Sequence, residues 1–440
     1  MKLAVIGAGY VGSVTGAAFA DAGHACVIID VDPVKVRAIN SGKSPVYEPG
    51  LEEVIRRAVE QRKLSAAESF EAVREADAVF IAVGTPSLPN GEADLQYVRS
   101  AARSAGKHLN PDKFTVVVNK STVPVGTSEL VAAVIEEASG LRSGERFAVV
   151  SNPEFLREGY ALQDVMNPDR IVVGTHHPEA RRIMRALYRS WIERDAGAPV
   201  YFETDPKSAE LVKYASNAFL SVKVSFINEV ARFCEAVGAN ALDVAKGMGL
   251  DPRIGAQYLQ ISSGWSGSCL PKDTAELLAA SRKYNCGMAI VEAAVESNQR
   301  MHEYCVEKVR RRLKTLAGKR IGILGLTFKP DTDDARKTQA SYIIGRLLEL
   351  GASVSAHDPK GTAAFREMNP HLRVRYCEQA EDVADKADAI VLLTHWAEYA
   401  RLDWLRVHRN MRNPYILDTR NFLLELQLAE LGFLYEGIGL

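Results

Sequence analysis

The sequence lacks a long apolar run, a block of like charge and a paired-cysteine motif. No apolar stretch among the 440 residues approaches the ~18 residues that span a membrane. The 54 basic and 55 acidic residues are interspersed, so the formal net charge of -1 leaves no electrostatic footprint for nucleic acid or a membrane surface. Met1 leads directly into the strand-like run KLAVIG, without a basic and apolar leader. We therefore expect a cytoplasmic protein with small-molecule partners.

Cysteine is sparse, and its spacing excludes the usual disulfide frame and zinc motif. The six cysteines contain no C-x-x-C pair, which suits reduced thiols. They are Cys26, Cys234, Cys269, Cys286, Cys305 and Cys377. Most are predicted to be small core residues, and only Cys269 has neighbours that indicate chemistry. The tandem His176 and His177 precede a proline in a predicted surface loop, so no metal site is predicted.

What the sequence has in quantity is an alternation of short apolar runs, glycine-rich turns and amphipathic segments. The apolar runs are LAVIG, CVIID, AVFIAV, FTVVVN, FAVVS and RIVVG. This alternation is typical of α/β folds in which a doubly wound parallel sheet carries helices on both faces. The run KRIGILG begins a second such pattern, continued by SVSAHDP, ADAIVLLT and PYILDTRN. The fold prediction is two Rossmann-like domains joined by a helical region.

A segment without internal glycine or proline, 206–238, predicts one long central helix. Its polar residues recur every three or four positions, which predicts a polar stripe on a largely apolar cylinder that is buried on most sides. They are Lys213, Asn217, Ser221, Ser225, Asn228, Arg232 and Glu235. We expect domains at 1–200, 201–300 and 301–440, with the central helix as a homodimer interface.

A dinucleotide site is predicted at the first turn, VIGAGYVG. Gly7, Gly9 and Gly12 follow a strand and open a helix, so the backbone can approach a pyrophosphate at the helix N-terminus. Asp30 ends the next strand, where it can accept hydrogen bonds from ribose hydroxyls, and this favours NAD over NADP. Lys35 lies close enough to soften that preference, although a solvated helix face is its simpler interpretation.

Cys269, in GWSGSCLPKD, is placed where a thiol becomes reactive. Pro271 suits the first position of a helix, so Cys269 should lie just before the positive helix start, with Lys272 as a nearby cation. Both effects lower a thiol pKa from its free value of ~8.5. Asp273 could position or deprotonate a water. The alternatives are a buried structural cysteine and an acid that complements the helix dipole.

Three further segments could complete a catalytic site. Lys213 and Asn217, one helical turn apart, can both reach one oxygen and stabilise negative charge there. Glu154 and Glu158 follow a strand in SNPEFLREG, and Thr122 follows another in KSTVPVGT. Ligands of open parallel sheets bind at such strand ends. Salt bridges and helix caps are the simpler interpretations. The turn-rich loop 85–94 is a candidate for motion over a site.

Together the motifs GAGYVG, EPGL, VGTPS, KSTVPVGT, SNPEFLREG, NPDRIVVG, LDPRIG, GSCLPKD and FKPDTDD, in this order, resemble the UDP-glucose/GDP-mannose dehydrogenase family. The resemblance extends from residue 1 to about 425. It implies a two-step, four-electron oxidation of a nucleotide-sugar C6 alcohol to a carboxylate with two NAD and one water. Within the family the motifs favour UDP-glucose as substrate over GDP-mannose, and Lys272 after the cysteine argues against UDP-N-acetylmannosamine.

The resemblance also implies roles for individual residues. Cys269 would capture the aldehyde, Lys213 and Asn217 would stabilise the C6 oxygen, Asp273 would act with Thr122 through a water, and Glu154 would serve hydrolysis. The implied cofactor contacts are Gly7, Gly9, Tyr10, Val11, Gly12, Asp30, Lys35, Thr85, Thr122, Glu158, Lys272 and Arg336. The implied substrate contacts are Glu154, Phe155, Leu156, Lys213, Asn217, Arg253 from a neighbouring subunit, Tyr258, Gly264, Lys329 and Arg420.

The sequence departs from the family pattern at two places. Ser266 and Gly267 stand where two glycines are usual, which predicts reduced backbone freedom in the cysteine loop. KTQA follows Arg336 where a serine or proline is usual, which leaves the far side of the cofactor pocket less defined. Two other classes stay open: a two-electron hydroxyacid dehydrogenase, which needs no Cys269, and a non-enzymatic NAD-sensing module, which binds without turnover.

Overall fold

The computed structural model covers residues 1–440, and its chain divides into two units, Met1–Ser216 and Asn217–Leu440. The first unit is built on an eight-stranded sheet with the order β3-β2-β1-β4-β5-β6-β7-β8. Its strands are β1 (Lys2–Ile6), β2 (Ala25–Ile29), β3 (Leu64–Ala67), β4 (Ala78–Ile81), β5 (Thr115–Asn119), β6 (Phe147–Ser151), β7 (Arg170–Gly174) and β8 (Val200–Thr204).

The helices of the first unit connect these strands. They are α1 (Tyr10–Asp21), α2 (Pro33–Asn40), α3 (Leu51–Glu60), α4 (Gln96–His108), α5 (Thr127–Ser139), α6 (Ala161–Met166), α7 (Pro178–Leu187) and α8 (Arg189–Ile192), with a short 3-10 helix at Glu71–Glu75. Strands β4, β5 and β6 are buried at every position, as a parallel sheet covered on both faces requires. All neighbouring strands are parallel except β6 and β7, which pair antiparallel at Ser151 and Gly174.

Helix α9 (Pro206–Val237) confirms the predicted long helix, and its residues from Asn217 onward belong to the second unit. The polar stripe is confirmed, because Ser221, Ser225 and Asn228 are buried. Most residues of the helix are buried or half-buried, as expected, and one face is exposed. The phenylalanines of α9 lie on that face, with Phe219, Phe226 and Phe233 64%, 51% and 68% exposed.

The second unit holds a six-stranded parallel sheet with the order β11-β10-β9-β12-β13-β14. The strands are β9 (Arg320–Leu324), β10 (Ser353–His357), β11 (Val374–Tyr376), β12 (Ala389–Leu392), β13 (Tyr415–Asp418) and β14 (Leu434–Glu436). This order repeats that of β1 to β6. The prediction that the chain contains a second sheet built like the first, and with it the two-sheet fold class, is therefore confirmed. The finer division into three domains stays a prediction.

The helices of the second unit precede, connect and flank these strands. They are α10 (Ala241–Gly249), α11 (Leu270–Lys283), α12 (Ala289–Leu313), α13 (Gln339–Glu349), α14 (Thr362–Met368) and α15 (Trp404–Asn410), with 3-10 helices at Ala380–Ala384, Ala397–Arg401, Leu424–Leu426 and Leu428–Leu431. None of the helices in the chain combines the length and the apolar character that crossing a membrane demands.

A buried ion cluster fastens the C-terminal segment to α9 and α12 in the second unit. Lys308 Nζ lies 2.8 Å from a carboxylate oxygen of Glu235 and 2.8 Å from one of Glu436. The side chain of Lys308 is only 5% exposed. Gly439 N donates to the other oxygen of Glu235 at 2.7 Å. Glu235 therefore holds both an internal cation and the chain terminus.

We predict that Lys308→Met lowers the free energy of unfolding by about 2–3 kcal/mol, because it leaves two carboxylates without their buried cation. Arg310→Met is the matched control, since Arg310 forms an exposed pair with Glu307 on the same helix, and its effect on the free energy of unfolding should be small, as is usual for exposed ion pairs. Urea unfolding followed by circular dichroism measures both. Equal effects of the two substitutions would contradict the role given to the cluster.

Candidate active site

The turn after β1 has the shape that a dinucleotide pyrophosphate needs. Gly7 has φ +107°, and a Cβ there would lie 2.5 Å from Ala82 O. A Cβ on Gly12 would lie 1.8 Å from Gly7 O, so only glycine allows this close packing of α1 on the turn. A Cβ on Gly9 would meet nothing within 4 Å, and no side chain caps α1. The helix start is therefore open to an anion, with Tyr10 and Val11 in its first turn.

Asp30 stands at the end of β2 and is held by backbone donors. Its Oδ2 accepts from Ala8 N at 2.6 Å and its Oδ1 accepts from Asp32 N at 2.9 Å. The carboxylate is half-buried, so it has remaining acceptor capacity at the mouth of the turn. Lys35 is half-buried in the following helix, α2. These residues fit a dinucleotide with free ribose hydroxyls.

The ends of β4 and β5 are joined by a hydrogen bond between two predicted site residues. Thr85 Oγ1 donates to Thr122 O at 2.8 Å. The loop after Thr122 is fixed from α9, because the buried Glu210 accepts from Gly126 N, Ser128 N and Ser128 Oγ at 2.7–2.8 Å. The turn-rich loop 85–94 forms a small hairpin, with a bridge between Ser87 and Ala93. Its motion stays a prediction.

A buried ion pair lies beyond β6. Lys213 Nζ is 3.1 Å from Glu154 Oε1, and the two side chains are 4% and 8% exposed. Leu156 N donates to Glu154 Oε2 at 2.5 Å, and Lys213 Nζ lies 5.6 Å from the Phe155 ring centre. Burial opposes ionisation of this carboxyl, but Lys213, the Leu156 N–H group and Lys120 together outweigh it and hold the pKa of Glu154 below its ordinary value. The pair, Phe155 and Leu156 are thus brought together as predicted, and Glu158 is half-buried nearby in sequence.

Sequence reasoning missed a second buried lysine beside this pair. Lys120 ends the run after β5, and its Nζ donates to Asn152 Oδ1 at 3.2 Å. Tyr188 Oη donates to the same oxygen at 2.6 Å. Burial, opposed by Glu154 and assisted by Lys213, lowers the pKa of Lys120 to about 8. The lysine directly before Ser121 in a strand-end motif was the available signal.

In the second unit, Cys269 stands immediately before α11, as its sequence context predicted. Leu270 is the first helical residue and Pro271 the second. The half-buried thiol has Ser268 Oγ 3.6 Å from Sγ, and the Cys269 carbonyl accepts from Asp273 N at 2.8 Å. Cys269 therefore lies in the positive field of a helix of 14 residues.

Asp273 is held from two sides inside the same unit. Asn217 Nδ2 donates to Asp273 Oδ2 at 2.5 Å, and Lys272 Nζ lies 2.8 Å from Asp273 Oδ1. Lys272 also lies 3.2 Å from Glu276 Oε2. Burial opposes the charge on Lys272, yet the two carboxylates outweigh it and raise the pKa of that ammonium. The Lys272 ammonium thus lies against two carboxylates, whereas the sequence analysis predicted that its charge acts on the Cys269 thiol.

The loop before Cys269 is fixed by side chains of α9 and α12. Asn298 accepts from Trp265 N and donates to Trp265 O, each at 2.8 Å. Trp265 Nε1 donates to Ser225 Oγ at 2.8 Å. Gly264 has φ +117°, and a Cβ there would lie 2.4 Å from Asn298 Oδ1 and 2.8 Å from His302 Nε2. The packing of this loop therefore requires a glycine at position 264, independently of any contact with substrate.

The remaining predicted residues of the second unit have separate surroundings. Arg420 donates from Nε to Leu393 O at 2.8 Å, and burial lowers the pKa of its guanidinium to about 10. Lys329 Nζ lies 5.8 Å from the Phe328 ring centre. Arg253 is 89% exposed and pairs with Asp251, and the half-exposed Arg336 pairs with Asp334. Tyr258 has φ +64°, an uncommon backbone conformation for a tyrosine.

The open glycine turn under the start of α1, with an acid at the end of the next parallel strand, places the chain among the dinucleotide-binding proteins of the Rossmann type.

Comparison with known proteins gives the family. Three parts of the UDP-glucose/GDP-mannose dehydrogenase family match: its NAD binding domain at residues 1–192, its central domain at 207–300 and its UDP binding domain at 322–425. UDP-glucose 6-dehydrogenase TuaD of Bacillus subtilis (strain 168) is 42% identical over 441 residues, which cover 100% of this chain and 93% of that protein. UDP-glucose 6-dehydrogenase of Rhizobium meliloti (strain 1021) is 42% identical over 444 residues, covering 100% and 99%.

Among solved structures, a UDP-glucose dehydrogenase from the hyperthermophilic archaeon Pyrobaculum islandicum superposes with a TM-score of 0.88 at 41% identity, covering 96% of this chain and 95% of that one. The chain belongs to the UDP-glucose/GDP-mannose dehydrogenase family. It is an NAD-dependent oxidoreductase that acts on a CH–OH group.

We predict that the stability of the wild type relative to Lys120→Met rises between pH 8 and about 10. The folded-state pKa of Lys120, about 8, lies below the ~10.4 of an unfolded lysine. In that window the unfolded state binds more protons, so stability increases with pH. Below pH 8 both states carry the charge, and the buried ammonium near Lys213, Glu154 and Tyr188 destabilises the fold.

Urea unfolding of the two proteins from pH 7 to 10.5 measures this difference. Lys63→Met, which removes an exposed lysine of the same unit, is the control, and its difference from the wild type should stay flat. If the stability difference between the wild type and Lys120→Met is also independent of pH, Lys120 keeps the pKa of an ordinary lysine and the prediction is wrong.

Proposed function

We propose that the protein is a UDP-glucose 6-dehydrogenase that oxidises the C6 alcohol of UDP-glucose to the carboxylate of UDP-glucuronate. The substrate is supported by full-length relatives that carry this name at 42% identity. The four-electron course is supported by one observation, the position of Cys269 at the head of α11 beside the buried Asp273. A two-electron hydroxyacid dehydrogenase has no use for a thiol there.

In this proposal the first unit holds the cofactor, and two residues of α9 stabilise charge on the substrate. Gly7, Gly9 and Gly12 with α1 receive the pyrophosphate, and Asp30 accepts from the ribose. NAD, when bound, supplies the two-electron acceptor for each of the two oxidations. Lys213, with Asn217 one turn along α9, stabilises negative charge on the C6 oxygen as the alcohol loses its proton.

The remaining cofactor contacts in the proposal are Tyr10, Val11, Lys35, Thr85, Thr122, Glu158, Lys272 and Arg336.

Cys269 supplies the covalent step. After the alcohol has lost two electrons and become an aldehyde, the thiolate adds to C6 and forms a C–S bond, giving a thiohemiacetal. Loss of two further electrons gives a thioester. Water then attacks C6, the C–S bond breaks, and the thiolate leaves with the carboxylate as product. Keeping the aldehyde bound prevents its release between the two oxidations.

Proton transfers fall to the carboxylates. Asp273, fixed by Asn217 and Lys272, acts through a water with Thr122, and Glu154 serves the hydrolysis of the thioester. Phe155, Leu156 and Gly264 line the sugar end in this proposal, while Lys329, Arg420 and Tyr258 take the nucleotide end. Arg253, which is 89% exposed and pairs with Asp251, would reach the sugar nucleotide of a neighbouring subunit.

We predict that the wild type yields two NADH per limiting UDP-glucose, and that Cys269→Ser forms no net carboxylate while binding NAD as the wild type does. The covalent capture is lost, and the glycine turn that holds the cofactor is untouched. NADH absorbance with a limiting sugar, run in parallel with GDP-mannose, gives the stoichiometry and the substrate.

Cys286→Ser is the matched control, because Cys286 is exposed, and it should retain full yield. One NADH per UDP-glucose, or a fully active Cys269→Ser, would contradict the thioester course. Two NADH from GDP-mannose and none from UDP-glucose would keep the chemistry and change the substrate.

We also propose that the protein is a homodimer through α9. Phe219, Phe226 and Phe233 are spaced seven residues apart and therefore form one exposed apolar stripe, continued by Val237, which is 58% exposed. Aromatic side chains of this size favour burial, and a second copy of the same stripe offers a matching apolar surface.

We predict that the double variant Phe226→Ser/Phe233→Ser is a monomer at micromolar concentration, whereas the wild type has the mass of two chains. Light scattering after size-exclusion chromatography measures both masses. Phe202→Ser is the control, since Phe202 is an exposed phenylalanine of β8, and it should stay dimeric. A double variant that keeps twice the chain mass would place the interface elsewhere.

A further inference from the structure

The loop that carries Cys269 is tied to the second sheet by one buried side-chain pair. Ser266 Oγ donates to Gln339 Oε1, and the two residues are 9% and 0% exposed. Gln339 is the first residue of α13, and Ser266 lies three residues before the thiol. Ser266 and Gln339 belong to the two segments in which the sequence departs from the family pattern, 266–267 and 337–340, and the structure joins these segments.

The amide nitrogen of Gln339 continues the connection. Gln339 Nε2 donates to Leu393 O at 3.2 Å, just beyond the end of β12. Arg420 Nε donates to the same carbonyl at 2.8 Å. One backbone oxygen is therefore shared by Gln339 and by the arginine proposed to contact the nucleotide.

A second set of contacts links Arg420 to the Cys269 loop through Phe328. Arg420 Nη2 lies 3.5 Å from Phe328 O, a weak hydrogen bond. The Phe328 ring packs against Gly267, where a Cβ would lie 2.8 Å from two ring carbons. Gly267 N donates to Lys337 O at 3.2 Å, which ties the loop to the segment before α13. Gly267 has φ +91°, so the glycine is required both for backbone conformation and for space.

We propose that Gln339 is a positioning residue that couples Arg420 to the Cys269 loop through its paired hydrogen bonds to Ser266 and Leu393. The proposal rests on the proposed function in one respect, that Arg420 and Cys269 act at the two ends of one substrate. Binding of the nucleotide against Arg420 then fixes the positions of Leu393 O, Gln339 and Ser266. The Cys269 thiol is thereby held in place relative to the C6 atom of the substrate. Small displacements of a nucleophile have large effects on rate.

The Ser266–Gln339 pair is distinguished from a hydrogen bond that only satisfies a buried hydroxyl by comparison with a neighbouring serine. Ser263, in the same loop, has a fully buried hydroxyl without a hydrogen-bond partner. Removing the Ser263 hydroxyl therefore breaks no hydrogen bond within the protein, which makes Ser263 a control for Ser266. Because Gln339 uses its oxygen and its nitrogen toward two different segments, a substitution at Gln339 uncouples them while leaving Leu393 O paired with Arg420.

The test is a double-mutant cycle of Ser266→Ala and Gln339→Met, with Ser263→Ala as the matched control. Each single substitution should lower kcat about 10-fold while KM for UDP-glucose changes less than about twofold, because binding is kept and alignment is lost. The double variant should fall no further than either single variant, because both remove the same connection. Ser263→Ala should match the wild type.

A second readout uses iodoacetamide and no substrate. Alkylation of Cys269, followed by peptide mass spectrometry in a Cys286→Ser background, should be about fivefold faster in both single variants, because a looser loop exposes the half-buried thiol. Thermal unfolding of each variant checks that the fold is retained.

Additive losses in kcat, or alkylation rates equal to or below that of the wild type, would overturn the proposal. If the wild type does not oxidise UDP-glucose, the proposed substrate fails, and the alkylation rates still decide the role of Gln339.

Discussion

The structure depends on one constraint. A polar side chain that is buried on a helix needs a hydrogen-bond or ion-pair partner within reach of its fixed position. Helix α9 carries such side chains along one stripe, and four of them are bound by residues of the segments that pack against it. In the first unit Lys213 pairs with Glu154, and in the second unit Asn217 donates to Asp273. Farther along, Ser225 accepts from Trp265, and Asn228 accepts from Ser262 N. The helix therefore positions these segments, and the absence of glycine and proline after Pro206 keeps its 3.6-residue period intact over 32 residues.

The two sheets have the same strand order but differ at the acid that ends the second strand. Asp30 accepts two backbone donors and stays half-buried at an open turn. Asp358, at the same place after β10, is 5% exposed and accepts from Leu326 N, Thr327 N, Thr327 Oγ1, Trp396 Nε1, Lys360 N and Gly361 N. Its acceptor positions are used internally. The repeated fold thus keeps a dinucleotide-type turn only in the first unit, and the second sheet offers its strand ends to other ligands.

Sequence periodicity predicted the buried strands because β4, β5 and β6 are continuous apolar runs flanked by turns. It missed β3, β8, β11 and β14, which lie at sheet edges, are short and carry mixed residues, so that pairing with a neighbour defines them. The antiparallel pairing of β6 with β7 also has no local signal. In the candidate site, the glycine turn and the helix after Cys269 followed from local rules. Lys120 did not, because its burial arises from strands distant in sequence. The Ser266–Gln339 pair likewise needs the fold, since 73 residues separate its members.

The position of Lys272 changes how the reactivity of the thiol is explained. Sequence proximity suggested that this cation supports a thiolate, but the ammonium lies against Asp273 and Glu276, and a cation shared by two carboxylates leaves no excess positive charge. The N-terminus of α11 is a positive neighbour of Cys269 of a different kind, through backbone N–H groups whose charge does not titrate. Lys272 fixes one oxygen of Asp273 while Asn217 fixes the other. Lys272 therefore contributes to the site by placing the carboxylate, whereas the helix N-terminus contributes the positive field at the thiol.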